Sequence, residues 1–306
     1  VLLDQLEDYA EQFSTGQMRD PLLRLLSAPD LDRADREARN FILESCFRSN
    51  HTKMIQPYPH YRRLHELYLK LVQEGEAALN YLSGQYFSDL LMWYHLVWTG
   101  ESVRRGSELV VRLMAQGEGF SHGDRCELFK LIGELVGGII QRYRKLAESG
   151  RVELSCSPLY HPLAPLMLDF QSARESQPDA ALPLEPGYPG GRTRVAFHLD
   201  AARRIHERRF GMPSQGVWPA EGAVSGAFLD LLASHGCRWT ASGEAVLANS
   251  LRQIQGSALP ERSQFLYRPY RFNGHAGPVT LFFRDDKLSD MVGFEYAKWF
   301  GKDAAL

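Results

Sequence analysis

Cysteine is scarce in this chain and shows none of the spacings that mark a disulfide framework or a zinc site. The four cysteines, at positions 46, 126, 156 and 237, are scattered and form no Cys-x-x-Cys pair. Such isolated residues are typical of reduced, mostly buried thiols and favour a cytoplasmic protein. A metal at His161 would need ligands such as Cys156, His198 or His235, and their spacings match no zinc pattern. We therefore expect no bound metal.

Long apolar runs, an excess of one charge and phosphate-binding motifs are missing as well. No run is long enough to span a bilayer. The formal net charge of −2 attracts neither nucleic acid nor a membrane surface. The sequence contains no glycine-rich phosphate loop before a helix, no Gly-x-Ser-x-Gly elbow and no nucleotide fingerprint. We expect no cofactor, no nucleic-acid partner and no membrane partner, and the sequence leaves the oligomeric state open.

The composition that remains is that of a globular protein with an ample core. With 44% hydrophobic and 24% charged residues, the 306-residue chain suffices for one large or two ordinary domains. Helical spacing of apolar residues prevails to about residue 150, and one amphipathic run covers residues 124–146 despite Gly137 and Gly138. Beyond Gly150, short β-like runs alternate with helices. This alternation favours a parallel α/β sheet or barrel, so we predict a helical region over 1–150 and a β/α portion over 151–306.

Several polar residues follow the carboxyl ends of the predicted strands. In parallel α/β folds, active-site residues lie at these ends. We predict strands at 152–156, 216–219, 237–240, 265–272 and 278–283, helices near 163–170, 198–210 and 223–235, and loops over 171–192 and 257–261. Four residues fall at or shortly after such strand ends: His161, Glu221, Glu244 and Asp285. His161 lies between two prolines, whose fixed backbone suits a binding loop as well as a structural role.

One carboxylate, Glu221, belongs to residues 216–222 (GVWPAEG) and directly follows a predicted strand. A glutamate at a helix N-terminus commonly does no more than complement the helix dipole. Here Trp218 adds a large aromatic ring nearby, and Gly222 lets the backbone approach closely. This context favours a functional carboxylate.

Two further carboxylates, Asp285 and Asp286, follow the apolar run 279–283. These residues fit a solvated turn or the N-cap of a following helix as well as a functional site. Arg284 beside them could pair with a carboxylate or hold a sugar hydroxyl, and Asp290 is more typical of a structural cap. Two carboxylates delivered by strand ends, with aromatic neighbours, are what cleavage of a glycosidic bond requires.

Three segments resemble glycoside hydrolase family 57, the family of α-amylases, amylopullulanases and 4-α-glucanotransferases. They are residues 151–166 (RVELSCSPLYHPLAPL), residues 216–225 (GVWPAEGAVS, continued by 238–241 and 244–247) and residues 283–294 (FRDDKLSDMVGF). The helical half, including residues 93–98 (WYHLVW), is similar to the amylopullulanase-like branch. The resemblance spans nearly the whole chain and implies an incomplete (β/α)7 barrel with a large helical region in the N-terminal half.

The resemblance also implies roles for individual residues. Glu221 would be the nucleophile and Asp285 the general acid/base of a retaining α-glycosidase. Such an enzyme cleaves α-glucans by double displacement and can pass the sugar to another acceptor. The implied partner is an α-glucan polysaccharide or a maltooligosaccharide. The subsite around the reacting sugar would be lined by His161, Trp218, Trp239, Glu244 and Arg284, and Asp290 matches a further family position.

The chain departs from the family pattern at both ends. The opening strand of the family ends in His-Gln-Pro and has no counterpart here. The dipeptide Gln56-Pro57 lies in a helical context and is not that motif. The segment that follows the acid/base in the family is also missing, so we expect a fragment of a longer enzyme. Two alternatives stay open: a non-catalytic glucan-binding protein, and a metal-dependent polysaccharide deacetylase on a related barrel. The sequence indicates neither the linkage preference nor the choice between hydrolysis and transfer.

Overall fold

Helices make up the amino-terminal half of the chain, as the spacing of its apolar residues predicts. The structure, a computed structural model, describes residues 2–185, 187–255 and 259–305. The helices of this half are α1 Leu2–Thr15, α2 Pro21–Ser27, α3 Arg36–Cys46, α4 Pro59–Gln73, α5 Gly84–Trp98, α6 Glu101–Gly106, α7 Glu108–Gln116 and α8 His122–Glu148, with a π turn at His51–Ile55 and a 3₁₀ turn at Glu76–Tyr81. Helix α8 runs unbroken through Gly137 and Gly138.

Short polar side chains fix where several of these helices begin. Asp20, Asp35 and Ser83 each accept a hydrogen bond from the backbone N–H three residues further on. Each bond satisfies one of the four N–H groups that a helix leaves without an internal partner. Pro21 occupies the first turn of α2, where its missing N–H removes no hydrogen bond.

An apolar core fills the compact unit Leu2–Ile139. Helix α5 is apolar on nearly all sides, and its buried residues include Phe87, Leu90, Met92 and Trp93. A helix that is hydrophobic all round has to be enclosed by other elements. Its buried polar side chains find partners: Trp93 Nε1 donates a 2.7 Å hydrogen bond to the Gly117 carbonyl, and Ser88 Oγ donates to the Phe120 carbonyl at 2.9 Å. Among the described residues, no helix combines the length and the apolar character that crossing a membrane requires.

The second compact unit, Ile140–Leu306, carries a small mixed sheet. Its strands are β1 Gly216–Val217, β2 Trp239–Gly243, β3 Tyr270–Gly274 and β4 Gly277–Arg284. Its further helices are α9 Ala164–Leu168, α10 Ala173–Ser176, α11 Gly191–Phe210, α12 Gly226–Ser234, α13 Glu244–Gln255, α14 Arg262–Phe265, α15 Asp286–Asp290 and α16 Gly301–Ala305; 3₁₀ turns lie at Phe170–Ser172, Ala220–Gly222 and Tyr296–Lys298, and a π turn at Met291–Glu295. The fold is thus mixed α/β, rich in helix and with a small sheet.

The strand order is β1-β2-β4-β3, with β1, β2 and β4 parallel and β3 antiparallel at one edge. The expectation of a parallel sheet is therefore right for three strands and wrong for β3. A tight turn between Gly274 and Gly277 joins β3 directly to β4, and so short a connection permits only an antiparallel pair. Phe265, predicted as strand, belongs to α14 instead. Part of the loop predicted at 257–261 lies outside the described residues.

The strand predicted at 152–156 is reduced to one bridge beside β1. The Cys156 N–H donates to the Gly216 carbonyl at 3.2 Å, and the Cys156 carbonyl accepts from the Trp218 N–H at 2.9 Å. The pairing stops there because the next bond to the Trp218 carbonyl would come from the nitrogen of Pro158, which has no N–H. The bridge nevertheless runs parallel, so this segment enters the sheet in the same direction as β1.

Gly216 is required by the close approach of β1 and β2. It pairs with Trp239, and a Cβ at position 216 would overlap the indole ring of that residue. The core beside the sheet contains Val217, Phe228 and Leu281, all buried.

Candidate active site

Four chain segments leave the sheet where its parallel strands end, and this carboxyl end of the sheet is the edge referred to from here on. The Cys156 bridge, β1, β2 and β4 run parallel, so the residues that follow them emerge on the same side. These residues include His161, Glu221, Glu244 and Asp285. The register places the end of β2 beside the end of β4, since Gly243 pairs with Arg284. The structure thus brings these four predicted site residues to one edge of the sheet.

Glu221 lies in a sharp turn after β1 with left-handed backbone angles, φ 54° and ψ 18°. Gly222 follows at φ 70°, and its carbonyl accepts a 2.5 Å hydrogen bond from Ser242 Oγ of β2. A left-handed conformation is unfavourable for a residue with a Cβ, and its surroundings have to hold it. The Glu221 side chain is 79% exposed. The turn therefore presents a carboxylate outward from the end of the sheet.

His161 belongs to a second strained turn on the neighbouring segment. Tyr160 and His161 have φ values of 61° and 55°, and the His161 N–H donates to the Pro158 carbonyl at 3.0 Å. His161 Nδ1 is 4.0 Å from Glu221 Oε1, which is too long for a hydrogen bond. The Tyr160 ring meets the His198 ring edge to face at 6.0 Å. The imidazole therefore lies next to the Glu221 carboxylate without binding it.

Asp285 follows β4 and is the N-cap of α15. Its Oδ1 accepts from the Leu288 N–H at 2.9 Å and lies 2.7 Å from Arg262 Nη2. Its Oδ2 accepts from the Tyr267 hydroxyl at 2.6 Å. These donors, Arg262 first and Tyr267 next, hold the pKa of Asp285 well below its usual range. The side chain is 9% exposed. The N-cap interpretation considered for Asp285 is therefore also realised.

Glu244, the first residue of α13, is bound by the same arginine. The Arg262 guanidinium donates through both Nε and Nη2 to the two oxygens of Glu244. The hydrogen bond with Glu244 and the contact with Asp285 raise the pKa of Arg262. One arginine thus joins the carboxylates that end β2 and β4.

Arg284 pairs with Asp286 and not with Asp285. Arg284 Nε donates to Asp286 Oδ1 at 3.0 Å, and Asp286 Oδ2 accepts from the Ala245 N–H at 3.2 Å. The Arg284 guanidinium carbon also lies 5.9 Å from the centre of the Trp218 ring. This contact joins the end of β4 to the segment after β1, so Trp218 and Arg284 belong to the same edge as the carboxylates.

One predicted site residue, Trp239, is not brought to this edge. Trp239 is the first residue of β2, and its Nε1 donates to Glu153 Oε1 at 2.6 Å. It stands at the amino end of the strand, roughly 13 Å along the backbone from Gly243. Asp290 is the last residue of α15 and is exposed. The geometry of this edge does not support the prediction for Trp239, and the role of Asp290 stays a prediction.

Arg262 and Tyr267 contact Asp285 without having been predicted to do so. No local pattern marks them, because Arg262 opens the four-residue helix α14 and Tyr267 lies in a run that reads as strand. In the part of the chain that the structure describes, no group of three or more His, Cys, Asp or Glu is arranged to hold a metal ion.

Comparison with known proteins identifies the family. The sequence model of Glycosyl hydrolase family 57 matches residues 7–305. No curated protein matches the chain.

Solved structures that match include a 4-α-glucanotransferase from Thermococcus litoralis, with 16% identity over 58% of this chain and 24% of that one at a TM-score of 0.36. They also include the α-amylase AmyC from Thermotoga maritima, with 17% identity over 71% of this chain and 35% of that one at a TM-score of 0.38. A third is a branching enzyme from Pyrococcus horikoshii, with 15% identity over 89% of this chain and 48% of that one at a TM-score of 0.39.

The chain therefore spans from 24% to 48% of the length of these three structures. The family match, in contrast, covers nearly every residue and includes all three segments that carry the resemblance. The resemblance inferred from those segments is thereby confirmed, and the chain belongs to glycosyl hydrolase family 57.

Proposed function

We propose that this chain carries the catalytic carboxylates of a retaining enzyme that acts on α-glucans, of the α-amylase or amylopullulanase kind. One observation carries the proposal: Glu221, Glu244 and Asp285 follow three parallel, adjacent strands and reach one edge of the sheet. In this proposal, residues 151–306 are a portion of an incomplete (β/α)7 barrel, and residues 1–150 are a helical region associated with it.

The reaction would proceed by double displacement. A carboxylate oxygen of Glu221 attacks the anomeric carbon, while Asp285 protonates the departing glycosidic oxygen. The resulting glycosyl-enzyme is then attacked by an acceptor, which loses its proton to Asp285 as the bond to Glu221 breaks. Water as acceptor gives hydrolysis, and a sugar hydroxyl gives transfer.

The spacing of the strands is compatible with this mechanism. Strands β1 and β4 flank β2, so their backbones are about 10 Å apart. Side chains extending from both sides can bring their carboxyl groups to the roughly 5 to 5.5 Å that a retaining mechanism requires. The exposed Glu221 carboxylate is free to approach a sugar.

Four further residues are proposed to contact the reacting sugar. His161 comes from the segment beside that of Glu221, and Trp218 precedes Glu221 on the same segment, while Glu244 and Arg284 end β2 and β4. Imidazole, carboxylate and guanidinium groups supply the hydrogen bonds that sugar hydroxyls need, and an indole ring supplies an apolar face.

The test is release of reducing sugar from soluble starch and maltooligosaccharides by the chain and by its Glu221→Gln variant. We expect the variant to lose activity by at least about a thousand-fold, because the amide cannot form the glycosyl-enzyme. Glu207→Gln, an exposed glutamate on α11, is the matched control and should keep full activity. Equal activity of Glu221→Gln and the unmodified chain would overturn the proposal.

A non-catalytic glucan-binding protein is the second candidate, and one observation favours it. The contacts of Asp285 with Arg262, Tyr267 and Leu288 stabilise its carboxylate form, which cannot donate a proton. The unmodified chain and its Glu221→Gln variant would then bind maltooligosaccharides equally well, and neither would cleave them. Binding and turnover measured on the same samples therefore separate the two functions.

A further inference from the structure

Asp285, Arg262 and Tyr267 form a closed ring of contacts. Arg262 Nη2 lies 2.7 Å from Asp285 Oδ1, and Arg262 Nη1 donates to the Tyr267 hydroxyl at 3.1 Å. That hydroxyl donates in turn to Asp285 Oδ2 at 2.6 Å. The guanidinium carbon also lies 5.9 Å from the centre of the Tyr267 ring. Both oxygens of Asp285 are therefore engaged by one short segment of the chain.

Every hydrogen-bond donor to Asp285 favours its carboxylate form. The Leu288 N–H, the Arg262 guanidinium and the Tyr267 hydroxyl all point hydrogens at its oxygens. Hydrogen bonds to the charged form and a nearby cation both lower the pKa of a carboxyl group, and that of Asp285 lies well below its usual range.

The other charged groups around Asp285 do not offset this arrangement. Glu244 is itself bound by the Arg262 guanidinium, and the neighbouring Asp286 is paired with Arg284. A general acid needs its proton before the glycosidic bond breaks. The state with the ring closed and the reactive state are therefore different states of Asp285.

The ring can open without loss of the core beneath it. The Arg262 side chain is 41% exposed and Tyr267 is 61% exposed. Between them, Phe265 and Leu266 are buried at 4% and 1% and anchor the same segment. Exposed side chains change rotamer readily, whereas the buried pair keeps the backbone in place.

We propose that Arg262 and Tyr267 form a latch on Asp285 that a bound α-glucan opens, so that sugar binding is coupled to the uptake of one proton from solvent by Asp285. The proposal rests on the proposed function and adds to it how the acid is kept unreactive until sugar is present. Arg262 is a positioning residue, since it acts through Asp285 and not on the sugar. When the latch opens, one solvent proton binds a carboxylate oxygen of Asp285, and the glycosidic oxygen later receives it.

The first test needs no turnover. The side-chain carboxyl of Asp285, assigned by loss of its ¹³C signal in Asp285→Asn, is titrated in the unmodified chain and in Arg262→Gln, Arg262→Lys and Tyr267→Phe. We expect Arg262→Gln to raise the titration midpoint by at least about one pH unit, with smaller rises for the other two variants. Arg268→Gln is the matched control, because this exposed arginine of the same segment contacts Tyr270 and not Asp285. An unchanged midpoint in Arg262→Gln would overturn the latch.

The second test uses the pH dependence of starch cleavage. The alkaline limb marks loss of the proton that the reaction uses, in the free enzyme for kcat/KM and in the sugar complex for kcat. In the unmodified chain we expect the alkaline limb of kcat to lie at higher pH than that of kcat/KM. In Arg262→Gln we expect a smaller difference between the two limbs. Coincident limbs in the unmodified chain would overturn the proposed coupling. Failure of the proposed function itself gives a different result: Glu221→Gln cleaves starch normally, whatever the titration of Asp285 shows.

Discussion

Three residues in the described part of the chain adopt left-handed backbone angles without being glycine: Tyr160, His161 and Glu221. Histidine tolerates this conformation better than most residues, but Tyr160 and Glu221 have no such tolerance. All three lie in the two turns that follow the Cys156 bridge and β1, which pair with each other. Each is expected to destabilise the fold by about 1 kcal/mol. Strain confined to two adjacent turns at a sheet edge supports a site that needs these side chains in fixed directions.

The strain at Glu221 leads to a prediction about stability. We expect Glu221→Gly to raise the free energy of unfolding by about 0.5 to 1 kcal/mol, because glycine adopts this conformation without a steric penalty. The exposed glutamate side chain makes few contacts to lose. Urea denaturation of the variant and of the unmodified chain measures the difference.

Glu221→Ala is the control for this experiment. It removes the same carboxylate but keeps a Cβ, so it should bring no gain in stability. A gain of equal size in both variants would show that the carboxylate, and not the backbone angle, carries the penalty. Activity should be lost in both, which is the trade expected where a strained residue serves function.

At the scale of single elements, the start of α8 shows how one carboxylate fixes a helix. Asp124 Oδ2 accepts from the N–H and the hydroxyl of Ser121, and Ser121 Oγ accepts from the Asp124 N–H at 3.1 Å. Arg112 from α7 donates to Asp124 Oδ1 at 2.9 Å. Partial burial alone would raise the pKa of Asp124, but the bonds from Ser121 and Arg112 lower it to about 2.

These contacts make the stability of α8 depend on pH. The folded pKa of Asp124 is below its unfolded value of 3.8, so its contribution is present above pH 4 and is lost as pH falls towards 2. We expect Asp124→Asn to lower the free energy of unfolding by about 1 kcal/mol at pH 7. The difference from the unmodified chain should shrink as the pH of the denaturation series is lowered through this range.

Glu127→Gln is the matched control for Asp124→Asn. Glu127 contacts the same arginine, but its side chain is 58% exposed. An exposed ion pair contributes little, so this variant should change the unfolding free energy by less than about 0.5 kcal/mol. If Glu127→Gln proved as destabilising as Asp124→Asn, loss of an ion pair with Arg112 would explain both effects, and loss of the Ser121 contacts would not.

The sequence predicts the elements unevenly, and the reasons are physical. Helices such as α8 and α11 are found because their apolar spacing repeats over many residues. The sequence predicts a strand over 216–219, but β1 covers only Gly216–Val217, since Pro219 has no N–H to continue the pairing. The direction of β3 is missed because it depends on which strand it pairs with, and alternation of helices and strands does not encode that.

The candidate site shows the same division. Glu221 and Asp285 are predictable because each directly follows its strand within a recognisable segment. Arg262 reaches Asp285 from 23 residues earlier in sequence, and this contact exists only in three dimensions. Trp239 is part of a segment that resembles the family, yet its position at the amino end of β2 directs it to Glu153. Motifs therefore locate the carboxylates but not the groups that control their charge.

At the scale of the whole molecule, the two compact units each have an apolar core of their own. Cys46 is buried in the core of Leu2–Ile139, and Cys237 in the core beside the sheet. Burial raises the pKa of Cys237 to about 12 and also raises that of Cys46. Because only the thiolate reacts, burial and the raised pKa both protect these two thiols from modification in the folded state. Cys126 is partly exposed and lies 3.2 Å from His122 Nε2.

The cysteines can therefore report the unfolding of each unit separately. We expect a thiol reagent to modify Cys126 first in the native protein, with Cys46 and Cys237 protected. In rising urea, Cys237 should become reactive at a lower concentration than Cys46, because the apolar clusters beside the sheet are smaller than the helical core. Mass spectrometry of the labelled peptides assigns each site, with Cys46→Ala and Cys237→Ala as controls for the assignment. Simultaneous exposure of both thiols would mean that the two units unfold as one cooperative structure, and earlier exposure of Cys46 would reverse the expected order of stability.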